Sequence, residues 1–544
     1  MPRSRIAWSA RMDSPGEAWC DYDCVVKNII SRRSFARLGL WLGLMLLAGA
    51  QTPPQQQPIH LVILHTNDIH GQVLSRQATW LSQDSPPEIG GLPRLAEKIA
   101  QLRAAEPQAI LVDAGDWYQG TPEGSQEHGL PFLQAMAQLS YDAMCLGNHD
   151  FDHGVANAQR LVREASLPAI LANVRLHASG ERPAWARPWI VIERSGVRIA
   201  LVGLLTTSTP EITSPELRAY DFATASEELE RARREIGAKA DLIIPVGHIA
   251  VEEARELARH EPQLALIVSG HSHTYLKQGE REGNTLIVQA GSKSSALGRV
   301  DLWLDPQTFA PLRSEAQLID LLDDPKAAPV ADASVVSIRK ACEALAARAS
   351  ASLAVAVGEL TTPLSRDAID GCSPPGSWIA DAFRARMHSD VGVHNRGGTR
   401  CDLAAGPVTR RQLFELLPFD NNVVEVELGG EELQKLVARS IENKRHIGLD
   451  FSGLTLFVRR QADGTLRVSR IEVGGKALDP KAAYRVATNS FLAGGGDGAV
   501  EFQAGKARRE DPAMLREVME EVFAREKRVA MPSDAKQRFV EELP

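Results

Sequence analysis

Cysteine is scarce in this chain, with six among 544 residues. Beyond residue 50 only Cys145, Cys342, Cys372 and Cys401 remain, widely spaced and without a C-x-x-C pair. That excludes a zinc knuckle and a disulfide framework, and leaves a single Cys372–Cys401 bridge open in an oxidising compartment. Positive charge is also in deficit. The formal charge is −8, and the first fifty residues hold seven basic and four acidic side chains, so the remainder carries about −11. Such a balance argues against a general binder of nucleic-acid polymers or anionic membranes. No phosphate-cradling P-loop and no dinucleotide glycine fingerprint occur, so an ATP-driven or redox function has no motif behind it. Nor does the apolar run Leu38–Leu47 reach the length needed to span a bilayer.

That run belongs to an address rather than a fold. Arg32 and Arg33 stand before it in Ser31-Arg-Arg-Ser-Phe35, and Ala48-Gly49-Ala50 after it supplies the small-x-small pattern of a signal-peptidase site. The paired arginines resemble a twin-arginine signal; an ordinary secretory signal with Arg-Arg in its basic region is the alternative. Residues 1–50 are therefore expected to be an export signal and 51–58 a linker. No cysteine lies at the cleavage point, which predicts a periplasmic or extracellular protein with no stable membrane anchor after signal removal. The roughly 490 residues that follow are too many for one core and predict two domains.

From Ile59 to about Val300 one pattern recurs. A short run of Val, Ile and Leu ends in a polar cluster, and a helical stretch follows. The runs are His60–Leu64, Ala109–Val112, Ala143–Leu146, Leu242–Val246 and Leu264–Val268. Such runs predict strands buried on both faces, and amphipathic stretches such as Leu92–Ala105 and Glu252–Arg259 predict the covering helices. This is the pattern of an α/β layered domain, whose functional loops lie at the carboxyl ends of its strands.

The polar clusters share a chemistry. Asn67, Asp68 and His70 follow the first run, Asp113 and Asp116 the second. Asn148, His149, Asp150, Asp152 and His153 follow the third, His248 the fourth, and His271 and His273 the fifth. A single histidine at a strand end is more often structural or exposed than a ligand. Five clusters in phase deliver carboxylates, imidazoles and an amide to one edge of a sheet. Without thiolates, that donor set suits two divalent ions, such as Zn, Mn, Fe or Co, about 3.5–4 Å apart and bridged by a carboxylate.

Asp68-x-His70, Gly115-Asp116, Gly147-Asn148-His149-Asp150, Gly247-His248 and Gly270-His271-Ser-His273 resemble, in order and spacing, the calcineurin-like metallophosphoesterase signature. The surrounding text (ILHTNDIHG, LVDAGDWYQGTP, NHDFDHG, GHSHT) is similar, more narrowly, to the 5′-nucleotidase family, over nearly the whole chain after residue 58. The resemblance implies an α/β protein: a four-layer α/β/β/α metallophosphoesterase sandwich over 59–325, a helical linker over 326–352 and a second α+β substrate-binding domain over 353–544. It implies that Asp68, His70 and His273 hold one metal and Asn148, His248 and His271 the other, with Asp116 bridging them. Two such cations lower the pKa of a shared water for attack on phosphorus. His149 would stabilise the transition state or protonate the leaving oxygen. Asp152 would orient His149; a helix cap is its alternative role. Asp113, Asp150 and His153 are expected to support these groups rather than react.

In the second domain Trp378–Met387 and Thr409–Leu417 predict helices, and Val391–His394 and Val423–Leu428 strands. Asn395-Arg-Gly-Gly-Thr-Arg400 resembles the family's nucleotide-contacting loop, through Asn395 and Arg400. Leu417-Pro-Phe419 and Ser490–Asp497 resemble the segments whose aromatic rings, here Phe419 and Phe491, clamp a base while an aspartate, here Asp497, meets the sugar hydroxyls. Two aromatic faces stack any base, and the glycines 494–496 permit close approach to a ligand. The chain departs from the family at Arg396 and Thr399, and at Cys372-Ser-Pro-Pro-Gly376-Ser377. The expected function is an exported dinuclear-metal phosphohydrolase acting on nucleoside 5′-monophosphates or related nucleotides, including 2′,3′-cyclic nucleotides and nucleotide sugars. The alternatives are the same centre acting on a sulfur-type, thiosulfohydrolase-like substrate, or a catalytically silent nucleotide-binding protein.

Overall fold

The computed structural model describes residues 57–542 apart from 79–80, 83–84, 324–329, 367–372, 443–447, 533 and 535–537. The proposed export signal and Cys372 therefore lie outside the described residues. Among the described residues Cys145, Cys342 and Cys401 are free thiols, and no helix is long and apolar enough to cross a membrane.

Alternation along buried strands generates the first half of the molecule. In Ile59–Thr66, Leu61 and Ile63 point to one face and Val62 and Leu64 to the other, and all four are buried. Leu61 and Ile63 join Ile199, Leu201, Ile244 and Val246 of a second sheet in one apolar cluster. Val62 and Leu64 instead meet side chains of the helices Leu92–Ala105 and Leu130–Ala137. On the outer face of the second sheet, Val202 and Leu204 meet Leu229, Ala254 and Leu257 from the helices Ala225–Ile236 and Val251–His260. Helix, sheet, sheet and helix follow one another, which is the four-layer sandwich.

Each sheet has six strands. In the first, Ile59–Thr66, Ile110–Asp113, Ala143–Cys145 and Ala169–Ile170 run parallel, while Ala296–Leu304 pairs antiparallel with Ile59–Thr66. In the second, Val197–Leu205, Leu242–His248, Leu266–Ser269 and Thr285–Val288 run parallel. Parallel strands place their carboxyl ends on one edge, and there every polar cluster of the first half begins.

Two segments differ from the expected pattern. Beyond Val300, where the recurring pattern of apolar runs ends, lies the edge strand Pro311–Asp320, paired antiparallel with Ala296–Leu304. Its side chains are mostly exposed and include Arg313 and Glu315, so it carries no apolar run; charge on an edge also blocks further pairing. The helix expected as a linker spans Ala333–Leu353, and its Val335, Ile338, Cys342 and Leu345 enter the same apolar cluster as Leu92 and Leu95. It is packed into the outer helical layer of the first half.

The second half is built on a five-stranded mixed sheet in the order Leu449–Ser452, Val391–Asn395, Ala483–Asn489, Asn422–Gly429 and Lys506–Met514. Helices Pro374–Met387, Gly430–Glu442 and Leu515–Glu526 cover it. The predicted helix after Thr409 starts as expected. Thr409 Oγ1 accepts from Gln412 N, and Gln412 Oε1 accepts from Thr409 N.

Candidate active site

The loops at the carboxyl edge bring the seven predicted metal ligands together. Donor atoms of Asp68, His70, Asp116 and His273 all lie within 4.8 Å of one another. Asn148, His248 and His271 stand beside them: His248 Nε2 is 3.1 Å from Asn148 Oδ1, and the His248 and His271 rings are 5.1 Å apart. Asp116 lies between the two groups. Its Oδ2 is 3.7 Å from His70 Nε2 and 3.3 Å from His248 Nε2, while its Oδ1 accepts the His149 amide at 2.9 Å.

The backbone is strained to achieve this. Asp68, His70, Asp116, His271 and His273 have φ of 51°, 51°, 60°, 70° and 54°. Non-glycine residues seldom occupy this left-handed region, and such strain persists only where surrounding structure over-determines it. Asp150 supplies part of that support. Its carboxylate accepts from the amides of Asp116, Trp117 and Gly147, tying two ligand loops together. Asp113 holds Thr66 Oγ1 and the Gly115 amide, and burial pushes its carboxyl up to about 7.

The donor set fits divalent cations. The Nδ1 of His70 is committed to the Gln119 carbonyl and that of His248 to the Ala114 carbonyl, both at 2.8 Å, so each ring turns Nε2 inward. His70 Nε2 faces His273 Nε2 at 3.0 Å. Among the described residues no donor is aligned on the buried Asp68 Oδ1, although His273 Nε2 is 3.2 Å away. Burial drives His70 well below the ordinary imidazole range and His271 to about 3, which keeps both neutral and their lone pairs free. His248 behaves differently. Burial lowers it, but the Asp116 carboxylate outweighs burial and holds it at about 10, so a cation binding there must displace a proton.

His149 is adjacent to this cluster. Its Nδ1 is 2.8 Å from Asp152 Oδ2, which leaves Nε2 unengaged by that carboxylate. This geometry matches the orienting role for Asp152 rather than the helix-cap role: at the start of the following helix Gly154–Glu164 it is the Glu216 carboxylate that accepts the Val155 amide, at 2.9 Å.

The predicted substrate residues come to the same place. Asn395, Arg400, Phe419, Phe491 and Asp497 line one cavity of about 410 Å³ together with Asp116, Asn148, His149, Asp152, His271 and His273. Asn395 Nδ2 donates to Asp497 Oδ2 at 2.8 Å, and Asn489 Nδ2 donates to Asn395 Oδ1 at 2.9 Å. Burial pushes the Asp497 carboxyl up to about 7. The Phe491 ring lies against Gly496, where a Cβ would come within 2.4 Å of it. Phe419 stacks on the His149 imidazole, with centroids 5.1 Å apart and planes 21° apart. The Arg400 guanidinium sits 5.6 Å from the Phe419 centroid.

Sequence reading passed over Gln119 and Asn489. Gln119 holds His70 with its carbonyl and reaches the Pro418 carbonyl with its side chain at 2.9 Å, joining the two halves. Its place three residues after Asp116 was the available signal. The departure at Arg396 is absorbed structurally: its guanidinium pairs with Asp450, whose side chain is fully buried, at 3.1–3.2 Å. Thr399 bonds His394 Nε2 at 3.1 Å. Removing one partner of a buried pair strands the other, so Arg396→Ala should lower stability by about 3–5 kcal/mol. Urea denaturation of the variant tests this, and a loss within about 1 kcal/mol would mean the Asp450 charge is matched by its other contacts.

Comparison with known proteins agrees with this architecture. Residues 61–275 match the calcineurin-like phosphoesterases, and residues 356–506 match the 5′-nucleotidase C-terminal domain. A 5′-nucleotidase of Vibrio cholerae serotype O1 is 28% identical over 510 residues, covering 83% of this chain and 89% of that protein. The crystal structure of a 5′-nucleotidase precursor from Thermus thermophilus superposes with a TM-score of 0.77 at 27% identity, over 89% of this chain and all of the other. The sulfate thiohydrolase SoxB of the same species has a TM-score of 0.75 over 90% of this chain and 99% of its own; at 17% identity that likeness is one of fold.

Proposed function

The chain belongs to the 5′-nucleotidase family, with a calcineurin-like phosphoesterase domain and a 5′-nucleotidase C-terminal domain, and is a phosphoester hydrolase; on that premise we propose that it hydrolyses the phosphate ester of nucleotides at a two-cation centre. The observation that carries this reading is the shared cavity. One part is lined by carboxylate and imidazole donors, another by Phe419, Phe491, Asn395, Arg400 and Asp497. Asp68, His70 and His273 would hold one divalent ion and Asn148, His248 and His271 the other, with Asp116 common to both. Bound there, two such ions supply Lewis-acid stabilisation of phosphoryl oxygens and lower the pKa of water.

The chain's own groups account for the rest. Asp152 holds the Nδ1 proton of His149, so that Nε2 is the atom able to give a proton to the departing ester oxygen. Arg400 brings positive charge beside the phosphate position. Phe491 offers a face for a base, and Asn395 holds Asp497 in place to accept from sugar hydroxyls. With residues 1–50 as an export signal, the substrates are nucleotides outside the cytoplasm. A sulfur-type substrate would leave the two phenylalanines and Asp497 without a role.

The test is phosphate release by the purified protein from Ile59 onward. The panel holds AMP, UMP, ADP, a 2′,3′-cyclic nucleotide, UDP-glucose and p-nitrophenyl phosphate, each with Mn, Zn or Co and with a chelator. Chelator-sensitive turnover of at least one nucleotide is expected. Phe491→Ala should raise KM for that nucleotide by about tenfold, in line with about 1–3 kcal/mol per stacked base, and leave metal content unchanged. Turnover of the aryl phosphate alone, or a Phe491→Ala enzyme with unaltered KM, would overturn the nucleotide reading.

A further inference from the structure

Asp152 engages with both of its oxygens. While Oδ2 faces His149 Nδ1, Oδ1 accepts a hydrogen bond from Thr213 Oγ1 at 2.9 Å. Thr213 is 4% exposed and lines the same cavity. It comes from the other sheet: His149 and Asp152 follow the first-sheet strand Ala143–Cys145, whereas Thr213 follows the second-sheet strand Val197–Leu205. We propose that Thr213 is a positioning residue, which fixes the plane of the Asp152 carboxylate and through it the imidazole of His149.

The physical need is plain. The terminal torsion of an aspartate is broad, so one hydrogen bond leaves its carboxylate free to swing. Asp152 also sits at the end of a short turn, Asn148–Phe151, not inside a rigid element. A donor on the second oxygen, from an independent part of the fold, removes that freedom. Thr213 is itself well held. Its backbone is extended, and the turn that follows at Pro215–Ala219 is capped by Ser214, whose side chain accepts the Glu216 amide. Arg218 of that turn donates to the Gly494 carbonyl at 2.8 Å, within the glycine loop that leads to Asp497. The segment carrying Thr213 therefore touches the loop proposed to hold the sugar.

The role rests on the phosphoester-hydrolase reading. As the bond from the attacking water oxygen to phosphorus forms and the P–O ester bond breaks, the Nε2 proton of protonated His149 passes to the ester oxygen, which leaves as an alcohol, and the water's protons remain with the released phosphate. The imidazole is left neutral, with its Nδ1 proton still shared with Asp152. A misaligned imidazole slows this step only when the leaving oxygen needs a proton.

The experiment compares Thr213→Val, near-isosteric but without the hydroxyl, with Thr213→Ser, which keeps it. On a nucleoside monophosphate, Thr213→Val is expected to lower kcat about tenfold, a part of the roughly 10²–10⁴ that a positioned acid contributes, with KM within about twofold. On p-nitrophenyl phosphate, whose phenolate leaves unaided, the loss should stay below about twofold. Thr213→Ser should recover most of the rate. Independently of any substrate, proton NMR of the zinc-loaded, ¹⁵N-histidine-labelled protein should show the His149 Nδ1 proton protected from exchange in wild type and Thr213→Ser, and lost in Thr213→Val. An equal loss on both substrates, a change in KM alone, or an Nδ1 proton unaffected by Thr213→Val would each overturn the proposal. If the wild type cleaves no nucleotide, the substrate reading fails by itself and the NMR comparison decides the role of Thr213.

Discussion

Replacing Asp116 by Ala is expected to bring phosphate release down to the background of the assay and to cut the bound divalent metal to at most one ion per chain. The size of the effect follows from how much this carboxylate does. Oδ2 stands between His70 and His248, and Oδ1 holds the His149 amide. Its own amide is in turn held by Asp150, and a Cβ at Gly147 would come within 2.2 Å of its Oδ1, so neither carboxylate nor loop has room to shift. In the proposed centre every other ligand would serve one ion, and Asp116 alone would serve both. Asp116→Asn separates charge from shape, because it keeps an oxygen in place and removes the anion. Metal content by elemental analysis, alongside activity, is the measurement. An Asp116→Asn protein that keeps two ions and more than about a tenth of the activity would overturn the bridging assignment.

The second large effect is expected from His149→Ala: kcat on a nucleoside monophosphate falls by about 10²–10⁴, the usual contribution of a positioned general acid. Metal content should be unchanged, because Nδ1 faces Asp152 and the His149 ring is not among the donors gathered around Asp68. The loss should be smaller on p-nitrophenyl phosphate. The same substitution also removes the ring on which Phe419 stacks, so a modest rise in KM is expected with it. Steady-state kinetics on both substrates, with metal analysis of the same samples, separates these effects. A fall of less than about tenfold on the nucleotide would remove His149 from the chemical step.

The candidate ligand set was legible in the linear chain because its signals are local. A buried parallel strand is a short apolar run, and the first polar residues after it lie at the carboxyl edge whatever the rest of the fold does. Asp68, Asp116, Asn148, His248 and His271 could each be found in this way, and all are drawn together in the structure. The helix Leu92–Ala105 was equally readable from its periodicity. The strand Pro311–Asp320 was not, because its few apolar residues are separated by Arg313, Ser314, Glu315 and Gln317 and most of its side chains are exposed, so it resembles a loop. Gln119 and Thr213 were missed for another reason. Glutamine and threonine are common surface residues, and only their partners, Pro418 and Asp152, make them significant.

The chain by itself determined the layered α/β class, the edge on which the site stands, and the types of group delivered there, since period-two burial and strand-end placement are properties of consecutive residues. Tertiary structure decided the rest: which oxygen of Asp116 faces which histidine, that Phe419 covers the His149 ring, that Arg396 is spent on Asp450, and that Thr213 reaches Asp152 from the opposite sheet. These are distances of a few ångströms between residues far apart in the chain or on different sheets. They are set by how two sheets and a second domain close on one another, and no local pattern encodes them.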